Sequence, residues 1–131
     1  MKPFALSRSA EQRLGQIAGW TTSKYGHDKA LKYQDQLIDT LNQLTDGKLP
    51  DGKPCAELLG EKHADRQVHY LLSGQHHIVY ERQPDQIVVL DFIHRSMDLE
   101  RHLGAAGDQL EKEGAGPGPD QNPRQRRSSG R

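Results

Sequence analysis

A chain of 131 residues is about one domain long, and 18 Lys plus Arg balance 18 Asp plus Glu, so no global field draws in nucleic acid or an anionic membrane. The single cysteine, Cys55, excludes an internal disulfide and suits a reducing compartment. No stretch approaches the ~20 apolar residues of a membrane span, and the opening Met1-Lys2-Pro3-Phe4 lacks the apolar run of a signal peptide. The expected location is the cytoplasm.

In chain order, Lys2 to Leu6 reads as a short extended segment with Phe4 and Leu6 on one side. Ser9-x-x-Gln12 has the form of a capping box. The helix it opens carries Ala10, Leu14, Ile17, Ala18 and Tyr25 near a 3.6-residue period. Gly26 supplies the stop, because glycine reaches the left-handed backbone of a helix end. His27-Asp28 opens a second helix, with Asp28 suited to accept orphan amide hydrogens. Ala30, Tyr33, Leu37, Leu41 and Leu44 stripe one face of it as far as Asp46-Gly47. Two helices joined by so short a link run antiparallel. Each stripe is one face wide, so the hairpin needs a further layer to cover.

Residues 47–65 (GKLPDGKPCAELLGEKHAD) read as a loop with one apolar spot at Leu58-Leu59, and Cys55 falls in it as a bystander. The period then changes to two. Val68 to Leu72, His76 to Arg82 and Ile87 to His94 form an antiparallel meander, turned at Ser73-Gly74-Gln75 and at Pro84-Asp85. A three-residue loop at 73–75 would set Leu72 opposite His76, Tyr70 opposite Ile78 and Val68 opposite Tyr80, on the face that receives the hairpin. His69, Leu71, His77 and Val79 would take the more polar face. Strand 87–94 is apolar on nearly every side, so it belongs in the centre, with the N-terminal strand as its second neighbour.

A short helix from about Met97 to Leu103 follows, capped by Ser96 or Asp98 and stopped at Gly104. From Ala105 to Arg131 there is one Leu and no aromatic or β-branched residue. Such a segment cannot offset an ordering entropy of ~1–2 kcal/mol per residue. The expected organisation is therefore a domain over 1–104 and a disordered Gly/Pro/Gln/Arg-rich tail over 105–131. The basic run Arg124, Arg126, Arg127 and Arg131 reads as a solvated terminus. The fold class is α+β in two layers, β-α-α-β-β-β-α, with a helical hairpin packed on a small antiparallel-rich sheet.

Four segments in this order carry a resemblance. SAEQRLGQIAGWTTSKYG and KALKYQDQLIDTLNQL supply the helices, GQHHIVYE a hairpin strand, and IHRSMDLERHL the hydrophobic-His-x-x-Met-Asp ending. Together they resemble the ParE family of type II toxin–antitoxin modules, in the ParE/RelE superfamily. The resemblance implies a toxin without cofactor or catalysis that inhibits DNA gyrase and blocks replication. It implies neutralisation by a ParD-like antitoxin, with DNA reached only through the antitoxin or gyrase. The toxic surface expected on this reading is His94, Arg95, Met97 and Asp98, where a strand hands over to a loop. A groove beside the hairpin would take an amphipathic antitoxin segment on Leu99, Leu103, Tyr33 and Leu37, although the final helix could equally close the core.

The sister RelE branch offers the alternative, a ribosome-dependent mRNA endoribonuclease. Cleavage there needs cations on the phosphate and a general acid and base, for which Arg66, Arg82, His94 and Arg95 are the candidates. The tyrosine expected after His94 is replaced by Arg95-Ser96-Met97. A third reading is an inert relative. His69, His76 and His77 suggest a metal, but adjacent strand residues point to opposite faces. Only His69 and His77 would share one, with no Cys or carboxylate to complete a tetrahedron, so no metal is expected.

Overall fold

The structure, a computed structural model, describes residues 4–112. They form two units, one of residues 4–56 with 66–97 and one of residues 57–65 with 98–112.

In the first unit, β1 (Phe4–Leu6) leads into α1 (Arg8–Tyr25) and α2 (His27–Thr45). Then come β2 (Lys53–Pro54), β3 (Val68–Ser73), β4 (His76–Gln83) and β5 (Gln86–His94). The five strands run in the order β1-β5-β4-β3-β2. β1 lies parallel to β5, and the other neighbours pair antiparallel. The fold class is α+β as the sequence pattern indicates, and the expected central strand is β5, flanked by β4 and the N-terminal strand. The pairing of β2 with β3 through Lys53↔Tyr70 and Pro54↔His69 is an addition to the expected order. Residues 47–65 are thus not simply a loop; their Lys-Pro pair suits an edge, where proline forfeits no ladder bond.

The cap of α1 lies two residues before the expected one. Ser7 accepts the Ala10 amide at 3.0 Å and donates to the Leu90 carbonyl at 3.0 Å. Leu90 is the extra residue of a bulge, since Val79 pairs with Asp91 and Tyr80 with Val89. One hydroxyl therefore ends the helix and takes a carbonyl that the bulge freed. The α1 stripe is Ala10, Leu14, Ile17 and Thr21. Thr21 replaces the expected Tyr25 and satisfies its own hydroxyl on the Ile17 carbonyl at 2.7 Å. On α2, Ala30, Leu37, Leu41 and Leu44 are buried as the periodicity requires. Gly26, at φ 97°, joins the two helices without a side-chain cap. Asp28 is therefore a first-turn acid and not the cap.

The hairpin β3–β4 turns through two residues, Gly74 and Gln75, not three. Ser73 pairs with His76, Leu71 with Ile78 and His69 with Tyr80. A shift of one residue turns every side chain of β3 over while leaving β4 in place. The expected partners Leu72, Tyr70 and Val68 therefore occupy the other face, and Leu71 and His69 join Ile78 and Tyr80. The core between hairpin and sheet is built from Ala10, Leu14, Ile17, Leu37, Leu41, Leu44, Ile78, Tyr80, Ile87, Val89 and Phe92. The same shift puts His69 and His77 on opposite faces, so the one histidine pair with a shared face does not form. Among the described residues no group of His, Cys, Asp and Glu could hold a metal ion.

In the second unit, two 3₁₀ turns, Ala56–Leu59 and Glu61–His63, accompany the helix α3 (Leu99–Lys112). The expected end of α3 at Gly104 is corrected, because the helix runs through Gly104 and Gly107. At Gly107 the reason is packing. A β-carbon there would overlap the Leu59 carbonyl, and that glycine's own carbonyl meets His63 Nε2 at 3.2 Å. Glycine here admits close approach of two backbones and does not stop the helix. The expected disordered tail therefore does not begin at 105, and its remainder, residues 113–131, lies outside the described residues.

Candidate functional site

Three strand ends meet beneath the α1–α2 turn: the end of β3, the start of β4 and the end of β5. The turn between β3 and β4 requires glycine twice over. Gly74 sits at φ 61°, and a β-carbon on it would come within 2.7 Å of the Tyr33 ring. That contact sets Tyr33 directly over the turn. Its hydroxyl accepts the Gln75 amide at 2.9 Å and meets His76 Nδ1 at 2.6 Å. With the amide donating to that oxygen, the phenolic hydrogen is free to go to Nδ1, an arrangement in which the neutral His76 ring carries its proton on Nε2.

His76 pairs with His94 across the sheet, their rings 5.2 Å apart and nearly perpendicular. Burial pushes His76 down to about 4, helped by His94, Arg13 and His77 nearby. It is therefore neutral at physiological pH. Burial also raises Tyr33, against the opposing pull of the Gln75 amide. His94 is tied locally, its Nδ1 accepting the Ser96 amide at 3.1 Å with Ser96 Oγ at 2.8 Å. Nε2 is left to carry its proton. Over these residues opens a cleft of about 430 Å³, lined also by Trp20, Tyr25 and Lys29. Trp20 and Tyr25 are 57% and 53% exposed, although rings of this size are usually buried.

Arg95, Ser96 and Met97 continue past β5 as an exposed knuckle. The Arg95 amide is held by the Gln75 carbonyl at 2.8 Å, so the knuckle is anchored while its side chains stay in solvent. His94 is half-buried at its base. In the second unit, Asp98 caps α3 by accepting the Arg101 amide at 3.2 Å. Leu99 is half-buried and Leu103 is buried. Of the four residues expected to meet an antitoxin, Leu37 requires correction. It has no exposed surface and belongs to the core. Leu103, 2% exposed, likewise closes a core and offers no contact surface.

The nuclease candidates are not brought together. Arg82 lies six residues along β4 from His76, roughly 20 Å at 3.3 Å per strand residue, and Arg66 is at the same far end. Arg66 makes a two-pronged contact with Glu81 at 2.8 and 3.0 Å. Arg82 holds Asp51 at 2.7 Å, and Asp51 also accepts the Tyr80 hydroxyl at 3.0 Å. Tyr80 in turn accepts the Gly52 amide at 2.8 Å, so the network pins the segment leading into β2. Burial pushes the Tyr80 phenol up to about 12. Cys55 is buried, and burial raises its thiol to about 11, far from a nucleophile's range.

The sequence pattern missed Trp20, Tyr25, Lys29 and His76 as site residues. Trp20 carried a signal. It falls off the Ala10-Leu14-Ile17-Thr21 stripe, so a helix facing a core gives that ring nothing to pack on.

This arrangement of a helical hairpin over a β1-β5-β4-β3-β2 sheet has known counterparts. The family model described as the ParE toxin of the type II toxin–antitoxin system parDE matches residues 4–99. The chain belongs to the ParE toxin family. It is a ParE-type toxin of a type II toxin–antitoxin system, and the match runs from β1 into the first residue of α3. Toxin ParE1 of Caulobacter vibrioides is 26% identical over 104 residues, covering 79% of this chain and all of that protein. A chain from the chromosomal ParDE system of P. aeruginosa superposes with a TM-score of 0.56 at 18% identity, covering 72% of this chain and 96% of that one. At that identity the likeness speaks for the ParE fold alone.

Proposed function

We propose that this ParE toxin acts by binding. It occupies a surface of DNA gyrase, blocks replication, and is held inactive by a ParD-like antitoxin. The observation that carries this reading is the exposed knuckle Arg95-Ser96-Met97 on the half-buried His94, at the end of the central strand. A rigid strand presenting a short polar and apolar tip suits recognition of a protein surface. Two of the three arginines of the nuclease alternative, Arg66 and Arg82, are at the far end of the sheet and neutralised there, away from His94 and Arg95. No step of RNA cleavage is supported by two arginines that are already engaged by carboxylates. Tyr33 retains exposed surface for an antitoxin segment. Leu31 and Met97, 48% and 49% exposed, are further apolar positions such a segment would cover.

A gyrase target places the action in the cytoplasm. Among the described residues no helix is long and apolar enough to cross a membrane.

The test is expression without antitoxin, comparing the wild type with the double variant His94→Ala/Arg95→Ala. Filamentation and induction of the DNA-damage response are expected for the wild type. The variant should lose about 100-fold in viability effect while keeping its melting temperature, since truncating a hot spot costs about 2 kcal/mol or more in binding. Full toxicity in the double variant would remove the knuckle from the mechanism. Rapid loss of translation with cleaved transcripts would replace this reading by the nuclease one, and the absence of any growth defect by an inert relative.

A further inference from the structure

The cleft under the α1–α2 turn has an unusual lining. Trp20, Tyr25, Tyr33, His76 and His94 all present planar rings, and Lys29 stands among them. The remaining lining residues are Thr21 and Gln75, so among the described residues that bound the space there is neither an aliphatic hydrophobe nor a carboxylate. A helical or extended peptide anchored by apolar side chains asks for aliphatic sockets or unpaired sheet amides. Flat aromatic walls beside cations suit instead a planar ligand that carries negative charge.

The details agree with that chemistry. Trp20 and Tyr25 stand edge to face, centroids 6.0 Å apart at 73°, and both are more than half exposed. Lys24 holds its ammonium 5.6 Å from the Trp20 centroid, fixing the indole and adding a second positive charge at the rim. Among the described residues no hydrogen bond or ion pair engages Lys29, in contrast to Arg66 and Arg82 at the other end of the sheet. Tyr33 and His76 satisfy each other at the floor, so the cleft keeps its form without a ligand.

We propose that this cleft binds a nucleoside 5′-phosphate, the base stacking on Trp20 with Tyr25 as an edge-on wall and the phosphate held by Lys29 and the His94 Nε2–H. The same chemistry would serve a free nucleotide or the terminal nucleotide of a DNA strand. The cleft shares His94 with the toxic surface, but its occupancy does not depend on gyrase being the target.

Trp20 is the chain's one tryptophan, so its emission reports directly on the cleft. The full chain is titrated with deoxyadenosine 5′-monophosphate, with deoxyadenosine, with a 5′-phosphorylated pentadeoxynucleotide, and with a Glu-rich peptide containing one Phe. Saturable quenching by the monophosphate is expected, with a Kd of about 0.1–1 mM, and about tenfold weaker quenching by the nucleoside. Lys29→Gln, at an exposed helix position, should erase that tenfold difference without moving the melting temperature. A pentanucleotide binding about tenfold tighter than the mononucleotide would assign the site to a strand end; equal binding would assign it to free nucleotide. No saturation by either, an unaltered phosphate dependence in Lys29→Gln, or saturation by the peptide that the nucleotide fails to displace would each overturn the proposal.

Discussion

The two ends of the sheet are built from similar residues and use them in opposite ways. At the far end, Arg66 and Arg82 each lie against a carboxylate, Glu81 or Asp51, and Asp51 adds the Tyr80 hydroxyl. At the near end, among the described residues, Lys29 and Arg95 form no ion pair, and two large rings, Trp20 and Tyr25, remain in solvent. Charges that find partners within the chain describe how the chain is held together. Charges and rings left open mark where the molecule meets something else. The same contrast separates the two functional readings, because the nuclease alternative draws on both ends and the binding reading on one.

The largest expected effect comes from the layer that joins the ends. Leu37→Ala should lower unfolding free energy by about 2–5 kcal/mol, the cost of a cavity in a close-packed core, measured by urea denaturation. A variant that kept its stability and lost antitoxin affinity would return Leu37 to the surface role first expected of it. Next, at the far end, Tyr80→Phe should cost about 1–3 kcal/mol by orphaning the Gly52 amide and leave toxicity intact. Loss of toxicity at unchanged stability would abolish the distinction between the ends.

The near end makes a pH prediction. His76 titrates near 6.5 in the unfolded chain and at about 4 in the fold, where burial opposes its charge. The unfolded state therefore binds more protons between those values, so stability is complete above about 6.5 and falls as pH drops toward 4. The side chain sits at the floor of an open cleft, so solvent screens part of the penalty and the loss should be about 1–2 kcal/mol. Unfolding curves at pH 4.5 and 7 should converge in His76→Gln by about that amount. Persistence of the full pH dependence in this variant would assign it to other groups. The smallest effect belongs to Arg82→Ala. An exposed pair contributes about 0–1 kcal/mol, so stability should change little and toxicity not at all. A loss of toxicity here would revive the nuclease alternative.

How much of this was legible in the sequence varies with the range of the interaction. The α2 stripe of Ala30, Leu37, Leu41 and Leu44 is a local pattern, and the helix buries those residues. The identity of the central strand followed from a run at 87–94 that is apolar on nearly every side, interrupted only by Asp91 before the final His94. The register of β3 did not follow, because a two-residue and a three-residue turn both fit Ser73-Gly74-Gln75 and differ by a full inversion of the strand's faces. The short β2 was hidden by its Lys-Pro composition, which signals a loop unless an edge is available. Gly104 looked like a stop because a glycine after a short apolar period is the local signal for one, and the reason for the second glycine, Gly107, lies in the Leu59 carbonyl, which is remote in sequence. The near-end site was half visible. His94 and Arg95 stood out at a strand terminus, whereas Trp20, Tyr25 and Lys29 were read as parts of helices.

The sequence alone determined that this chain would form a helical hairpin over a β-meander, because hydrophobic period is a property of neighbours along the chain. It also determined, through the ordered ParE-like segments, the family to which the toxin belongs. Only the tertiary structure decided which polar groups neutralise one another and which remain open. Ion pairing and cleft formation bring together side chains from 15 residues apart, as in Arg66 and Glu81, to 74 residues apart, as in Trp20 and His94, and no local pattern encodes that proximity.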